Sequence, residues 1–280
     1  MSFSSRFPAV IVGAVLMLVN PPVTFARSAS ELAKSITVLI DGQNPGSGFI
    51  VSKQENIYYV LTAKHVVATE DEYEIVTPDG KRYLVDYSAV KKLPDVDLAV
   101  VPFISGKSYS VATLTGSTQF NLGGEVYVAG YPEPGREVRE RKFFSTSGKI
   151  ASLLDKSAID GYALVYTNIT RAGMSGGPVL DTSGHVIGVH GRAEAEQEGG
   201  LPNKAWVNLG VPINTFRELS SQLGLSLELQ VYQPPRNVDE PLLIPDVPAV
   251  TPTLRRPTVI RNSISPDNPV CAGIQQNCPH

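Results

Sequence analysis

One serine in the sequence lies in a setting that could make it a nucleophile. Ser175 is enclosed by glycines in the stretch RAGMSGGPVLD, residues 171–181. Gly173 gives the backbone the freedom to turn the N–H groups of Gly173 and Ser175 toward one point, where they could stabilise an oxyanion. Gly176 and Gly177 would let the chain pass close behind a substrate. The alternative is a glycine-rich hairpin with a polar tip, and the stretch alone leaves both open.

A serine nucleophile needs a general base and an acid that orients it. Of the four histidines, His65 follows the apolar run in YYVLTAKHVV, where a strand end can present an imidazole to a cleft. His185 is predicted in a hairpin turn, and His280 ends the chain. In LPDVDLAVV, Asp97 directly precedes a buried-strand pattern, while Asp95 lies two residues farther out. A half-buried aspartate there could bind the imidazole by a charge-assisted hydrogen bond; the alternative is a turn aspartate.

The elements that would position these residues are predicted to be short strands. Twelve β-like runs are separated by turn residues, with six on each side of a Gly/Ser/Thr-rich stretch at 106–123. Regularly spaced short strands are typical of all-β barrels. The pattern therefore predicts an all-β fold of two barrels, the first at about 35–105 and the second at about 120–212.

Beyond the strands the composition changes twice. Thr215 and Glu218 fit a capping box, and apolar residues follow at helical spacing, which predicts a helix at 215–223. This helix would close a folded domain at 27–229. Residues 230–280 are rich in proline and show little periodicity, which predicts an extended and largely disordered tail.

The first 26 residues have the features of a cleavable signal peptide. The basic Arg6 precedes the apolar run Pro8–Val19, which is well short of the roughly 20 residues needed to span a bilayer. We therefore expect residues 1–26 to be removed on export and the protein to be periplasmic or extracellular. An oxidising compartment favours a disulfide between Cys271 and Cys278 over the alternative of a metal half-site.

Five motifs occur together and in a fixed order along the chain. They are GSGFIV (46–51), VLTAKHVV (60–67), DVDLAVV (95–101), GMSGGPV (173–179) and GHVIGVHG (184–191). As a set they resemble the chymotrypsin/trypsin superfamily, in the bacterial branch that contains the glutamyl endopeptidases and the HtrA-type proteases. The similarity covers about residues 35–224. It implies a double six-stranded β-barrel with the active site in the cleft between the barrels.

The resemblance also implies roles for individual residues. His65 would be the general base, Asp97 would orient it, and Ser175 would attack the scissile carbonyl. Gly173 and Ser175 would supply the oxyanion-hole N–H groups. Met174 stands where the digestive enzymes have an aspartate that pairs with a new N-terminus, so activation by that ion pair is not expected. HtrA-type proteins have a PDZ domain after the protease domain, and we do not expect one in the Pro-rich tail.

The same resemblance bears on the substrate. Trypsin-like pockets have an aspartate at the position of Ile169, so cleavage after lysine or arginine is not expected. Thr170 and His190 occupy the positions at which glutamyl endopeptidases hold an acidic side chain, and Arg192 would add positive potential at the rim. An acidic P1 residue is therefore predicted. The alternatives are a small apolar P1 residue and a purely structural role for His190.

Charge and composition limit the remaining function classes. Lysine and arginine total 24 against 27 aspartate and glutamate, which excludes the basic excess of a nucleic-acid-binding protein. No cofactor or metal site and no stable membrane span are predicted. The leading hypothesis is a monomeric, exported serine endopeptidase that acts on proteins or peptides, with a tail that could bind an unidentified partner. The alternative is a catalytically silent, protease-like binding module tethered by that tail.

Overall fold

The computed structural model describes the chain at residues 27–115, 121–198, 201–222 and 226–233. The predicted signal peptide, the cysteine pair Cys271 and Cys278, and the predicted tail beyond residue 233 lie outside these residues. Within them, neither α-helix is long and apolar enough to cross a membrane.

Seven strands form the first sheet, and all of their pairings are antiparallel. The strands are β1 (Thr37–Asp41), β2 (Gly46–Gln54), β3 (Ile57–Thr62), β4 (Glu74–Val76), β5 (Arg82–Leu84), β6 (Lys91–Lys92) and β7 (Ala99–Ile104). Their order across the sheet is β5-β4-β1-β2-β3-β7-β6. The central strands β2, β3 and β7 are mostly buried, and β3 and β7 consist mainly of apolar and β-branched residues.

Eight strands form the second sheet. They are β8 (Thr113–Thr115), β9 (Glu125–Gly130), β10 (Phe144–Leu153), β11 (Leu164–Tyr166), β12 (Pro178–Leu180), β13 (Val186–Glu198), β14 (Leu201–Pro212) and β15 (Gln230–Tyr232). Their order is β12-β9-β10-β11-β14-β13-β8-β15, and an additional β12–β13 pairing closes six of them into a barrel. The short strands β8 and β15 join that barrel by parallel pairing.

The predicted all-β double barrel is confirmed, with one difference in the first half. Six of the eight strands of the second sheet form a closed barrel, whereas the first sheet is a half-barrel. Within the described residues no strand ladder joins β5 to β7 across the opening. The reason lies in the edge strands, because β5 has only three residues, two of them exposed, and β6 has only two.

An N-terminal helix, α1 (Ala29–Ile36), was not expected from the sequence. Ser28 caps it, since its hydroxyl accepts a hydrogen bond from the Glu31 N–H and the Glu31 carboxylate accepts one from the Ser28 N–H. The pattern Ser-x-x-Glu before apolar residues is the local signal that predicts such a start. The helix buries Ala33 and Ile36 in the main core.

The C-terminal helix, α2 (Ile213–Gln222), begins two residues earlier than the predicted range 215–223. Thr215 therefore lies inside its first turn and not at the N-cap, because β14 runs directly into the helix. The sequence placed the start of the tail at residue 230, and the structure describes the first residues of that range. Residues 230–232 form strand β15, which pairs with β8.

The two sheets meet in one buried apolar cluster, which holds the ends of their strands in fixed positions. Its members from both sheets include Phe49, Val51, Leu61, Leu98, Leu180, Val189 and Val211. Two backbone hydrogen bonds cross between the halves beside the predicted catalytic residues. The Ser47 N–H donates to the Ser175 carbonyl, and the Asp97 N–H donates to the Asp160 carbonyl, both at 2.8 Å.

Candidate active site

His65 is held at the end of β3 by its neighbours. The chain leaves β3 through a short 3-10 turn at Lys64–Val67, in which Val66 and Val67 are buried. Anchoring these two side chains turns His65 outward, and its side chain is 48% exposed. The end of β3 thus presents the imidazole to solvent.

Asp97 fixes the orientation of this imidazole. The Asp97 side chain is nearly buried just before β7; its Oδ1 accepts the His65 N–H at 2.9 Å, and its Oδ2 lies 2.7 Å from His65 Nδ1. Burial works against ionisation of Asp97, but hydrogen bonds from His65 and Tyr162 outweigh it, and the pKa of Asp97 is lowered. An ionised acceptor places the proton on Nδ1 and leaves Nε2 free to accept one.

Ser175 lies in the turn before β12, close to the end of β3, since a Cβ on the next residue, Gly176, would lie 2.8 Å from the Ala63 nitrogen. Its carbonyl is held by the Ser47 N–H, and its hydroxyl donates to the Gly191 carbonyl at 2.8 Å. Within the described residues no hydrogen bond joins this hydroxyl to His65. A rotation about the Ser175 Cα–Cβ bond would redirect the hydroxyl, and catalytic hydrogen bonds often form only when substrate is bound.

The backbone around Gly173 leaves two N–H groups available. Gly173 adopts a φ of +90°, a conformation that favours glycine, and its carbonyl accepts from Ser47 Oγ at 2.7 Å. The N–H groups of Met174 and Gly176 donate to backbone carbonyls. Those of Gly173 and Ser175 have no partner in the part of the chain that the structure describes. Free N–H groups at these two positions are what an oxyanion hole requires.

Gly176 lies at a position that has no space for a side chain. Its φ is +85°, and an added Cβ would overlap the Ser47 carbonyl and Thr62 Oγ1. Gly176→Ala is expected to lower the free energy of unfolding by about 3 kcal/mol. Denaturant unfolding measures this, with Gly106→Ala as the control, since a Cβ there meets nothing within 4 Å. Equal stabilities of the two variants would contradict the prediction.

The predicted specificity residues fall into two groups. Thr170 donates to Asn208 Oδ1, and Asn208 Nδ2 in turn donates to the Tyr166 carbonyl at 3.3 Å. The Tyr166 hydroxyl lies 2.6 Å from His190 Nδ1, so Thr170 and His190 form a set that is linked through two different groups of Tyr166, its carbonyl and its hydroxyl. Arg192 lies apart from this set. Its guanidinium stacks 5.0 Å above the Tyr162 ring and is 3.3 Å from Glu194.

His190 is buried and neutral. It is only 2% exposed, and burial, with a further contribution from the charge of His65, lowers the pKa of His190 to about 3. In this structure the imidazole therefore offers a hydrogen bond and no positive charge.

Burial of His190 also predicts a pH dependence of stability. The unfolded chain protonates His190 near its ordinary pKa of 6.5, whereas the folded chain resists this until a pKa of about 3. The contribution of neutral His190 to the free energy of unfolding is therefore fully present above pH 6.5. It decreases as the pH falls, with a slope of up to about 1.4 kcal/mol per pH unit. Denaturant unfolding at several pH values between 6.5 and 4 should show a steeper slope for wild type than for His190→Gln. Identical slopes would contradict this account.

Two residues of the site were missed by the sequence analysis. Tyr162 donates to Asp97 Oδ2, and Asn208 joins Thr170 to the wall of the second barrel. Both are buried polar side chains on or beside strands of the second barrel. The only sequence signal is a polar residue within an apolar strand run, which does not identify its partner.

Comparisons with known proteins agree with this geometry. The family model described as trypsin-like peptidase domain matches residues 46–189, just over half of the chain. Among solved structures, the Rv3671c protease in its inactive form aligns with a TM-score of 0.55 at 21% identity, covering 70% of this chain and 92% of that one. At this identity the likeness concerns the fold alone.

Curated relatives are similar over the same region. Protease Do-like 5, chloroplastic, from Arabidopsis thaliana is 28% identical over 214 residues, 70% of this chain and 64% of the relative. A probable periplasmic serine endoprotease DegP-like from Pseudomonas putida is 27% identical over 184 residues, 65% of this chain and 35% of the relative. The chain thus spans between about a third and two thirds of the length of these relatives. By its matched domain and its double-barrel fold, the chain belongs to the trypsin-like peptidase family of serine proteases.

Proposed function

We propose that the protein is an exported serine endopeptidase that uses Ser175, His65 and Asp97 to hydrolyse peptide bonds. The observation that carries the proposal is the fixed His65 ring. Its Nδ1 lies 2.7 Å from a nearly buried Asp97, and Ser175 lies beside two N–H groups that have no partner among the described residues. This arrangement supplies a base, an orienting acid, a nucleophile and an anion site for acyl transfer.

The chemistry follows from these positions. The Ser175 hydroxyl leaves the Gly191 carbonyl and transfers its proton to His65 Nε2 as Oγ attacks the substrate carbonyl carbon. The oxyanion so formed is bound by the N–H groups of Gly173 and Ser175. The imidazolium, stabilised by Asp97, then protonates the leaving amine as the C–N bond breaks. Water repeats the sequence on the acyl-enzyme and restores the serine.

Export and domain organisation belong to the same proposal. Residues 1–26 would act as a signal peptide, residues 27–229 as the peptidase domain together with strand β15, and the remaining residues as a Pro-rich tail. The sequence pattern at the N-terminus supports this, as does the periplasmic location in the name of the DegP-like relative. The protein would then act in the periplasm or outside the cell.

An acidic P1 residue is the finer part of the proposal. A substrate carboxylate could accept a hydrogen bond from a neutral His190 and one from Thr170, whose hydroxyl would first turn away from Asn208. Arg192 lies exposed at a distance, on the Tyr162 ring. Recognition would then depend on hydrogen bonds, because His190 carries no charge at neutral pH. A small apolar P1 residue is the competing outcome.

Digestion of an unfolded protein substrate tests both parts of the proposal. Mass spectrometry of the products is expected to show cleavage after glutamate or aspartate. His190→Ala should reduce that preference by about tenfold relative to cleavage after alanine, since one hydrogen bond to a charged group is lost. A His185→Ala variant serves as the control, because His185 contacts Asp181 and Tyr232 outside this pocket. An unchanged preference in His190→Ala would overturn the pocket assignment.

A catalytically silent binding module remains the second candidate. The observation that favours it is the Ser175 hydroxyl, which is bonded to the Gly191 carbonyl and not to His65. A module of this kind would bind peptides in the cleft without turnover. Absence of cleavage products from every unfolded substrate, with peptide binding retained, would support it.

A further inference from the structure

A turn of the second barrel covers Asp97. Asp160 and Gly161 adopt left-handed φ values of +64° and +80°, which reverse the chain. The Asp160 backbone carbonyl accepts the Asp97 N–H at 2.8 Å, and a Cβ on Gly161 would lie 2.7 Å from Val96 Cγ1. This close contact brings the next residue, Tyr162, within hydrogen-bonding distance of the Asp97 carboxylate.

The Tyr162 hydroxyl donates to Asp97 Oδ2, the same oxygen that lies 2.7 Å from His65 Nδ1. Tyr162 is 2% exposed, and burial followed by the hydrogen bond to Asp97 raises its pKa, so the hydroxyl stays protonated and acts as the donor. The Arg192 guanidinium lies 5.0 Å from the ring centre and covers the ring. Tyr162 is therefore held in one position.

Gly191 provides the space that this ring occupies. A Cβ at position 191 would overlap Tyr162 Cε1 and lie 2.6 Å from both Cζ and the hydroxyl oxygen. Gly191 is not one of the glycines with positive φ, so its backbone conformation does not require glycine. The absence of a side chain at this position is explained by the ring alone.

We propose that Tyr162 is a positioning residue of the catalytic machinery, which fixes the Asp97 carboxylate through its hydroxyl while Gly191 leaves room for its ring. With Tyr162, Asp97 accepts three hydrogen bonds, two of them from His65. A carboxylate with three donors stays ionised and cannot rotate away from the imidazole. The proposal rests on the function proposed above, because it assigns a role in the same reaction.

Tyr162→Phe tests the hydroxyl directly. Loss of one charge-assisted hydrogen bond is expected to lower kcat/KM by about tenfold, mainly through kcat. The acidic limb of the kcat/KM profile should move to higher pH, because Asp97 with one donor fewer binds a proton more tightly. Tyr58→Phe is the matched control, because it removes the hydroxyl of another buried tyrosine. Tyr58 lies in β3, and its hydroxyl donates to the Lys107 carbonyl and not to Asp97. A Tyr162→Phe variant with the rate and pH profile of Tyr58→Phe would overturn the proposal.

A second pair of variants tests the shared space. Tyr162→Ala removes the ring and its hydroxyl. In that background Gly191→Ser would place a serine hydroxyl close to the former position of the Tyr162 hydroxyl, because a Cβ at position 191 lies 2.6 Å from that oxygen. Relative to Tyr162→Ala alone, we expect Gly191→Ser to raise kcat/KM by at least about threefold. Gly191→Ala should not raise it. Equal activity of the two double variants would contradict the proposal.

The hydrogen bond between His65 and Asp97 can also be followed without turnover. The low-field proton resonance of His65 Nδ1–H should move in Tyr162→Phe and stay in place in Tyr58→Phe. This result is expected even in a protein that does not cleave peptides, so a failure of this inference is distinguishable from a failure of the proposed function. An unmoved resonance in Tyr162→Phe would show that the hydroxyl does not act on the pair.

Discussion

Ser175→Ala is expected to lower kcat for a peptide substrate by about 10⁴-fold or more. The variant keeps the oxyanion N–H groups and the His65–Asp97 pair but has no atom that can form the acyl-enzyme. Loss of the hydroxyl also removes the hydrogen bond to the Gly191 carbonyl, which is a small local change in a partly exposed side chain. Cleavage of a fluorogenic peptide measures the effect.

Ser183→Ala makes the same chemical change outside the cleft and serves as the control. Ser183 is exposed in the turn before β13, where its backbone N–H is bound to Asp181. Its kcat should equal that of wild type. If Ser175→Ala retained more than about a tenth of the wild-type kcat, Ser175 would not be the nucleophile.

Asp97→Asn is expected to have the next largest effect, a fall in kcat of about 10⁴-fold at neutral pH. The Asp97 carboxylate accepts from His65 N–H, His65 Nδ1–H and the Tyr162 hydroxyl. An amide has only one oxygen for these three donors, and its NH₂ group would face the imidazole. The ring then takes the tautomer with its proton on Nε2, which cannot accept a proton from Ser175.

Asp95→Asn is the matched control for this substitution. Asp95 is exposed two residues away, and its φ of +57° is one that asparagine also adopts. Its kcat is expected to remain within about twofold of wild type, because surface substitutions away from special features have small effects. An Asp97→Asn variant that is as active as Asp95→Asn would show that Asp97 does not orient the base.

The candidate catalytic residues could be predicted because each has a local signal. Ser175 lies among glycines whose torsions the turn requires, and His65 and Asp97 each stand at the boundary of an apolar strand run. A strand boundary is legible in sequence because buried and turn residues differ sharply in composition. Whether these residues catalyse the reaction stays a prediction until variants are measured.

Tyr162 and Asn208 could not be predicted, because their partners in the site are distant in sequence. Tyr162 lies 65 residues from Asp97 in sequence, and Asn208 lies 38 residues from Thr170. Such pairs are formed by the pairing of strands across the barrels, which hydrophobic periodicity does not encode. The low pKa of His190 likewise depends on complete burial, which no local pattern at a strand residue reveals.

The fold was predicted at the level of architecture and less well at its edges. The alternation of short strands and turns predicts two β-barrels, but barrel closure depends on whether terminal strands are long enough to pair. Strand β5, with three residues, leaves the first sheet as a half-barrel. Strand β15 was missed because three residues beside prolines show no period that distinguishes them from a tail.

The most direct test of the account is covalent labelling of the folded protein with a fluorophosphonate, which reacts with a serine only when a base and an oxyanion site activate it. The account predicts labelling of one residue, which peptide mapping identifies as Ser175. Labelling should be lost in Ser175→Ala, in denatured protein and in His65→Ala, and kept in Ser183→Ala. Absence of labelling in folded wild-type protein, or labelling at another serine, would contradict the assignment of this cleft as the active site of a serine peptidase.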